Sequence, residues 1–268
     1  MNLSKALRLF PLAFKRPIEF YDRLSNHIEF RLARPPQCLP AYQTNEYGEV
    51  LRAIERCVGS CLDGFLKEPA LMEIETEVQR HVGQLACRGQ CETRYNADLA
   101  LARLCYALCR ATKPKIVVET GVCYGVTSAF VLKALETNGL GSLHSIDLPP
   151  MGITVGALVP EVLRPRWELH IGLSRRLLPK LLRHLRRVDF FIHDSGHTYR
   201  NMRREFLDVS GFLAPGAVVL ADDVEGNTAF QEWTTGRDLA FSACLKESEK
   251  EALMGIAVLA RNCDAMLG

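Results

Sequence analysis

From Lys115 onward the chain repeats one grammar: a short apolar run that stops at an acid or a glycine, then a helical stretch. The runs are KIVVETG, SLHSIDL, WELHIG, VDFFIHD and AVVLADD, and between them lie VTSAFVLKALE, SRRLLPKLLRHLRR and YRNMRREFLDVSGFL. Runs that are apolar on both faces and alternate with helices specify a parallel sheet covered on both sides. In such sheets ligands bind beyond the carboxyl ends of the strands. Glu119, Asp147, Asp194, Asp222 and Asp223 are therefore expected along one edge. The tail adds two further strand candidates, LAFSACL and MGIAVLA.

Upstream the texture differs. RPIEFYDRLSNHIEFRLAR and NEYGEVLRAIERCVGSCLDGFL carry helical periodicity, with the proline-rich ARPPQCLP between them. Asn96 is placed to cap the helix that ends near Thr112. We divide the chain into an N-terminal helical region, 1–93, expected to cap the site or build a homo-oligomer interface, and a sheet-bearing domain, 94–268.

Composition excludes some classes. Lys and Arg total 33 against 31 acids, a net charge of +2, which gives no reason to expect nucleic acid as a partner. No apolar run approaches the roughly 20 residues of a transmembrane helix. MNLSKALRLFPLAFKRP is basic and apolar, but Pro11 interrupts it and no cleavage site follows. It reads as a helix packed on the body, with a peripheral membrane anchor as the alternative. Ten cysteines include the C-x3-C pairs Cys57/Cys61, Cys87/Cys91 and Cys105/Cys109. Zinc ribbons use C-x2-C, so reduced thiols in a cytoplasmic protein are expected, Cys105 and Cys109 packing in a helix core.

The first turn narrows the ligand. Glu119-Thr120-Gly121-Val122-Cys123-Tyr124-Gly125 joins a strand to a helix with the spacing E-x-G-x-x-x-G. Gly121 and Gly125 allow a tight turn and let a ligand approach bare backbone. A dinucleotide cradle would carry G-x-G-x-x-G, and position 123 is not glycine. Asp147 ends the next strand, where a carboxylate can accept ribose hydroxyls.

FIHDSGHTYRNMRREF gathers His193, Asp194 and His197 at the end of the fourth run. A serine nucleophile is unsupported, because Ser195 lacks a G-x-S-x-G elbow. Zinc is disfavoured, since no cysteine joins the histidines. Asp194-x-x-His197 instead supplies a base that titrates near neutrality and, with Asp222 and Asp223, a hard oxygen-rich set suited to Mg²⁺. His193 reads as a packed core histidine. The bland alternatives are a helix-capping His197 and a solvated Asp223. The basic helix SRRLLPKLLRHLRR reads as a solvated amphipathic surface. Phe230 and Trp233 are either a substrate wall or core.

The ordered set of E-x-G-x-x-x-G, an acid ending the second strand and PGAVVLADD at the fifth resembles class I S-adenosylmethionine-dependent methyltransferases. FIHDSGHTYRNMRREF followed by FLAPGAVVLADDV is similar to the family containing macrocin-type sugar O-methyltransferases, over roughly residues 94–262. The resemblance implies a Rossmann-like, mostly parallel seven-stranded sheet with helices on both faces and an antiparallel last pair. It implies Glu119 beneath the cofactor ammonium, Gly121 and Gly125 beside its amino-acid part, Asp147 on the ribose and Ser174 near the adenine. By the same analogy Asp194, Asp222 and Asp223 are metal ligands and His197 is the base. The family's usual Asp-Gly-Asp-His is Asp194-Ser195-Gly196-His197 here, one carboxylate fewer. The expected activity is O-methylation of a small hydroxylated acceptor, a sugar or glycosylated metabolite. The rivals are an NAD(P)-dependent oxidoreductase on a similar sheet and a non-catalytic cofactor-binding scaffold.

Overall fold

A computed structural model describes residues 11–32, 42–87, 99–148, 152–246 and 252–261. Helices α1 (Pro17–Leu32), α2 (Tyr47–Val58), α3 (Leu62–Phe65), α4 (Pro69–Cys87) and α5 (Leu99–Thr112) come first. Then follow β1 (Ile116–Thr120), α6 (Val126–Asn138), β2 (Ser142–Asp147), β3 (Trp167–Ile171), α7 (Ser174–Leu185), β4 (Val188–His193), α8 (Tyr199–Ser210) and β5 (Leu213–Ala221). A short α9 (Ala229–Thr234) leads into β6 (Leu239–Lys246) and β7 (Leu253–Leu259). Each apolar run became a strand and each helical stretch between them a helix. Asn96 and Cys91 lie outside the described residues.

The seven strands form one sheet in the order β3-β2-β1-β4-β5-β7-β6. β1 through β5 are parallel, and β7 runs antiparallel between β5 and β6. The fold is therefore the Rossmann-like, mostly parallel sheet expected, including its antiparallel last pair. Neighbouring strand residues point to opposite faces, so Val117, Phe190, Ile192, Val218 and Leu220 join one core with α4, α5 and α6. Val118, Phe191, Val219 and Ala221 join the other with α7, α8 and α9. Cys105 and Cys109 are fully buried in the first core, and burial pushes the Cys109 thiol well above its ordinary range. Phe230 and Trp233 are buried in the second, with Trp233 stacked 5.1 Å from Phe206, so they are core rather than a substrate wall.

Among the described residues no helix is long and apolar enough to cross a membrane. The N-terminal helices use two docking modes. α2, α3 and α4 contribute Val50, Ile54, Leu62, Leu71 and Ile74 to the core shared with the sheet. α1 instead docks through charge. Its buried Asp22 pairs with Arg176, and Glu29 pairs with Arg175 and, at 3.1 Å, with Arg204. Two arginines of the basic α7 stretch are thus spent on α1 rather than on solvent.

Candidate active site

The parallel ladder continues one residue past the strands, and those residues carry the chemistry. Gly172 N donates to Asp147 O at 2.8 Å, Gly121 N to Ile146 O at 2.9 Å, Asp194 N to Thr120 O at 2.8 Å and Asp222 N to His193 O at 2.9 Å. The expected gathering of acids along one edge is therefore a consequence of in-register pairing.

Glu119 sits under the first turn, fully buried. One of its carboxylate oxygens, Oε2, accepts from Ser145 Oγ at 2.6 Å and Ser128 Oγ at 2.7 Å. Its second oxygen, Oε1, is buried with no hydrogen-bond partner among the described residues. Burial raises the carboxyl pKa to about 7 against the pull of the two serines. An orphaned, half-satisfied carboxylate of this kind lacks a cation or donor.

The turn itself is held from both sides. Asp147 Oδ2 accepts from Cys123 N at 2.7 Å and Val122 N at 3.3 Å. Burial raises its pKa, opposed by these backbone N–H groups. Gly121 has φ +87°, and a Cβ there would overlap the backbone carbonyl of Asp194. Gly125 has φ +90°, and a Cβ there would press on Val159 and the Gly156 backbone. Both glycines thus allow the chain's own segments to close on the turn, a close-approach role the spacing had suggested for a ligand.

Beyond β4, Asp194, His197 and Asp222 each offer a ligand atom, and the three atoms lie within 4.8 Å of one another. Asp222 is buried and Asp194 partly exposed. Asp223 lies outside that trio, its Oδ2 3.6 Å from His197 Nε2; His197 Nε2 is 3.9 Å from Asp194 Oδ1. Burial depresses the His197 pKa to about 4, so its ring is neutral near pH 7. Asp194 and Asp222, two of the three aspartates expected as ligands, thus lie together with His197, the expected base, and Asp223 stands next to that histidine.

Behind this trio lies a group the sequence reading missed. Glu205 of α8 is fully buried and accepts from Thr120 Oγ1 at 2.6 Å, Ser195 Oγ at 2.9 Å and Asn201 Nδ2 at 3.1 Å, with His193 Nδ1 at 2.7 Å. His193 packs behind the site as expected, but as the partner of a carboxylate, with its ring edge toward His197 at 5.7 Å. Ser174 begins α7, and its hydroxyl is among the groups that hold the Glu205 carboxyl down. A signal was present: Glu205 falls on the apolar stripe of Met202, Phe206 and Val209, where a solvated acid has no place.

Residues 118–224 match the model of a family described as a methyltransferase domain. Over those residues the chain is similar to a methyltransferase domain. Solved structures agree on the fold of that domain. The O-methyltransferase TomG from Streptomyces achromogenes, involved in tomaymycin synthesis and solved with SAM, is 19% identical, with a TM-score of 0.55 over 72% of this chain and 91% of that one. An O-methyltransferase from Bacillus cereus, solved with SAH, is 14% identical, with a TM-score of 0.56 over 79% of this chain and 99% of that one. A methyltransferase from Geobacter sulfurreducens is 19% identical, with a TM-score of 0.52 over 76% and 95%. No curated protein sequence matches significantly. The methyltransferase match spans β1 to the end of β5, the strand ends that carry Glu119, Asp147, Asp194 and Asp222.

Proposed function

We propose that this chain is an S-adenosylmethionine-dependent O-methyltransferase acting on a hydroxyl of a small molecule, with His197 as the base. One observation carries the reading. The Gly121 turn and the Asp194–His197–Asp222 trio are in backbone contact, so a ligand on the turn lies beside a neutral histidine and two carboxylates. The solved relatives described with SAM or SAH support the cofactor.

The orphaned Glu119 Oε1 fits a cofactor ammonium, and Asp147 stands at the strand end where a ribose is held. Gly121 and Gly125 shape the turn, and Ser174 opens α7 at the adenine side. S-adenosylmethionine supplies an activated methyl on a sulfonium. His197 accepts the acceptor hydroxyl proton as the new carbon–oxygen bond forms; its neutral ring is ready for that task. Asp194, Asp222 and Asp223 would make an oxygen donor set that fits a divalent cation such as Mg²⁺, with His197 beside it, 3.6 Å from Asp223 Oδ2. Bound there, the ion would lower the pKa of an acceptor hydroxyl.

The acceptor class, a sugar or glycosylated metabolite, rests on the resemblance of the HDSGHTY and ADD motifs. Residues 1–93 act as cap or dimer surface, α1 covering the α7 side of the strand ends through Asp22 and Glu29. Free thiols at Cys57, Cys61, Cys105 and Cys109 fit a cytoplasmic enzyme.

The test compares thermal shifts with S-adenosylhomocysteine and NADH, followed by product formation in a hydroxylated-substrate screen. Stabilisation by S-adenosylhomocysteine and loss of product in His197→Ala are expected. Stabilisation by NADH alone, or an unimpaired His197→Ala, refutes the reading.

A further inference from the structure

A second cluster of ligating groups lies on the sheet away from the Asp194 trio. His144 on β2 is paired in register with Glu168 on β3, and Ile146 with His170. Residues 168 and 170 are two apart on one strand and so share a face, the face that His144 also presents. One ligand atom from each of His144, Glu168 and His170 lies within 4.8 Å of the others.

The distances fit one kind of occupant. His144 Nδ1 is 3.1 Å from Glu168 Oε2, and His170 Nε2 is 3.4 Å from Glu168 Oε1. Tetrahedral bonds of about 2.0–2.1 Å put neighbouring ligand atoms about 3.4 Å apart. Yet His144 Nδ1 and His170 Nε2 are buried, and neither meets hydrogen-bond geometry with any partner in the described residues. Both ring nitrogens thus lie against one carboxylate, and all three ligand atoms are within 4.8 Å of one another. Buried polar atoms left in this way are costly unless something satisfies them.

The surroundings match a metal site. Ser142 Oγ lies 3.0 Å from His144 Nε2, so the ring is held on the side opposite the cluster and Nδ1 is the nitrogen turned to Glu168. Glu168 is 60% exposed at its side chain, which opens a path for an ion and a fourth position for water. Two imidazoles and a carboxylate select zinc-like ions over Mg²⁺ or Ca²⁺, which prefer all-oxygen sites.

We propose that His144, Glu168 and His170 bind a divalent transition-metal ion of the zinc class and so clasp the edge strand β3 to β2. The clasp holds in place the strand that carries Ser145 beneath Glu119 and Asp147 under the first turn. It shares no ligand with the Asp194, His197 and Asp222 trio, so it stands or falls apart from the proposed activity.

The test uses full-length protein stripped with chelator and titrated with Zn²⁺ and, separately, with Co²⁺. Wild type is expected to bind Zn²⁺ at micromolar concentration or tighter, to rise in Tm on binding and to give four-coordinate cobalt bands without thiolate charge transfer. His170→Gln and His144→Gln should each lose this signal, while Ser142→Ala, which removes the group holding the His144 ring, should weaken binding about tenfold. Asp222→Asn should retain it. Circular dichroism confirms that the variants fold. Zinc binding unchanged in the folded His144→Gln/His170→Gln protein overturns the proposal. So does absence of micromolar binding in wild type, or a cobalt spectrum dominated by thiolate bands.

Discussion

Removing the Glu205 carboxylate should be among the most damaging single changes in the sheet-bearing half of the chain. Its partners come from several segments: Thr120 ends β1, Ser174 begins α7, His193 ends β4, Ser195 lies in the following loop, and Asn201 shares α8. Burial alone would raise the pKa, but His193 and the surrounding donors overcome it and bring the carboxyl from 4.5 to about 2. That shift corresponds to roughly 3 kcal/mol in favour of the folded, ionised form. Stranding a buried partner by deleting one member of a buried pair costs about 3–5 kcal/mol, so the two routes agree. Glu205→Ala should therefore lower Tm by roughly 6–20 °C at pH 7, read by scanning calorimetry. A depressed carboxyl contributes its stability above its unfolded pKa and loses it as pH falls through the folded value. The gap between wild type and variant should therefore narrow between about pH 4.5 and 2. Replacing both members, in His193→Phe/Glu205→Leu, should recover part of the loss, because no charge is left unpaired. A Glu205→Ala protein that melts within roughly 2 °C of wild type at pH 7 would refute the reasoning.

Glu119→Gln removes an acid whose pKa is raised to about 7, a group that favours folding below about pH 4.5 and loses that contribution as pH rises to 7. The variant should melt higher than wild type at pH 8 without ligand yet bind S-adenosylhomocysteine at least about tenfold more weakly by calorimetry, since a charged partner for the ammonium is gone; equal affinity would remove Glu119 from the site. Because the His197 pKa is about 4, the acid limb of a kcat/KM profile governed by it should fall below pH 6; an acid limb near 6.5 that vanishes in His197→Gln would contradict the burial argument. Gly121→Ala should abolish S-adenosylhomocysteine binding and lower Tm, since its Cβ would strike the Asp194 carbonyl; a normal affinity would show that β1 and β4 can part. Asp22→Ala strands Arg176 and should expose the 17–32 helix to protease first, checked by limited digestion and mass spectrometry.

The sheet was legible because its signal is local. Each run is two-faced apolar and closes on an acid or glycine, so both the strand and its carboxyl end can be read from about seven residues. The positions of Glu119, Asp147, Asp194 and Asp222 followed from that alone. What escaped reading depends on side chains that meet across distant segments. Glu205 looks like one more charge in YRNMRREFLDV until β1 and β4 are placed beside it. The arginines of α7 looked solvated because Asp22 and Glu29 are about 150 residues away in sequence. Asp223 turns into the left-handed region, with φ +50°, where its neighbour Asp222 stays at the end of the ladder.

The same ladder explains why the turn and the trio are one device rather than two. Gly121, Asp194 and Asp222 each donate their backbone N–H to the last carbonyls of the next strand over, so their heights along the sheet are set together. A slip of one residue in β4 would turn Asp194 to the opposite face and bring a side chain where only the Gly121 backbone fits. Buried Phe190, Phe191 and Ile192 forbid that slip, since each fills a core on a fixed face. The distance between the Gly121 turn and His197 is thus fixed by apolar packing in the strands. Substitutions that loosen Phe191 or Phe206 should therefore move His197 relative to the turn before they unfold the domain.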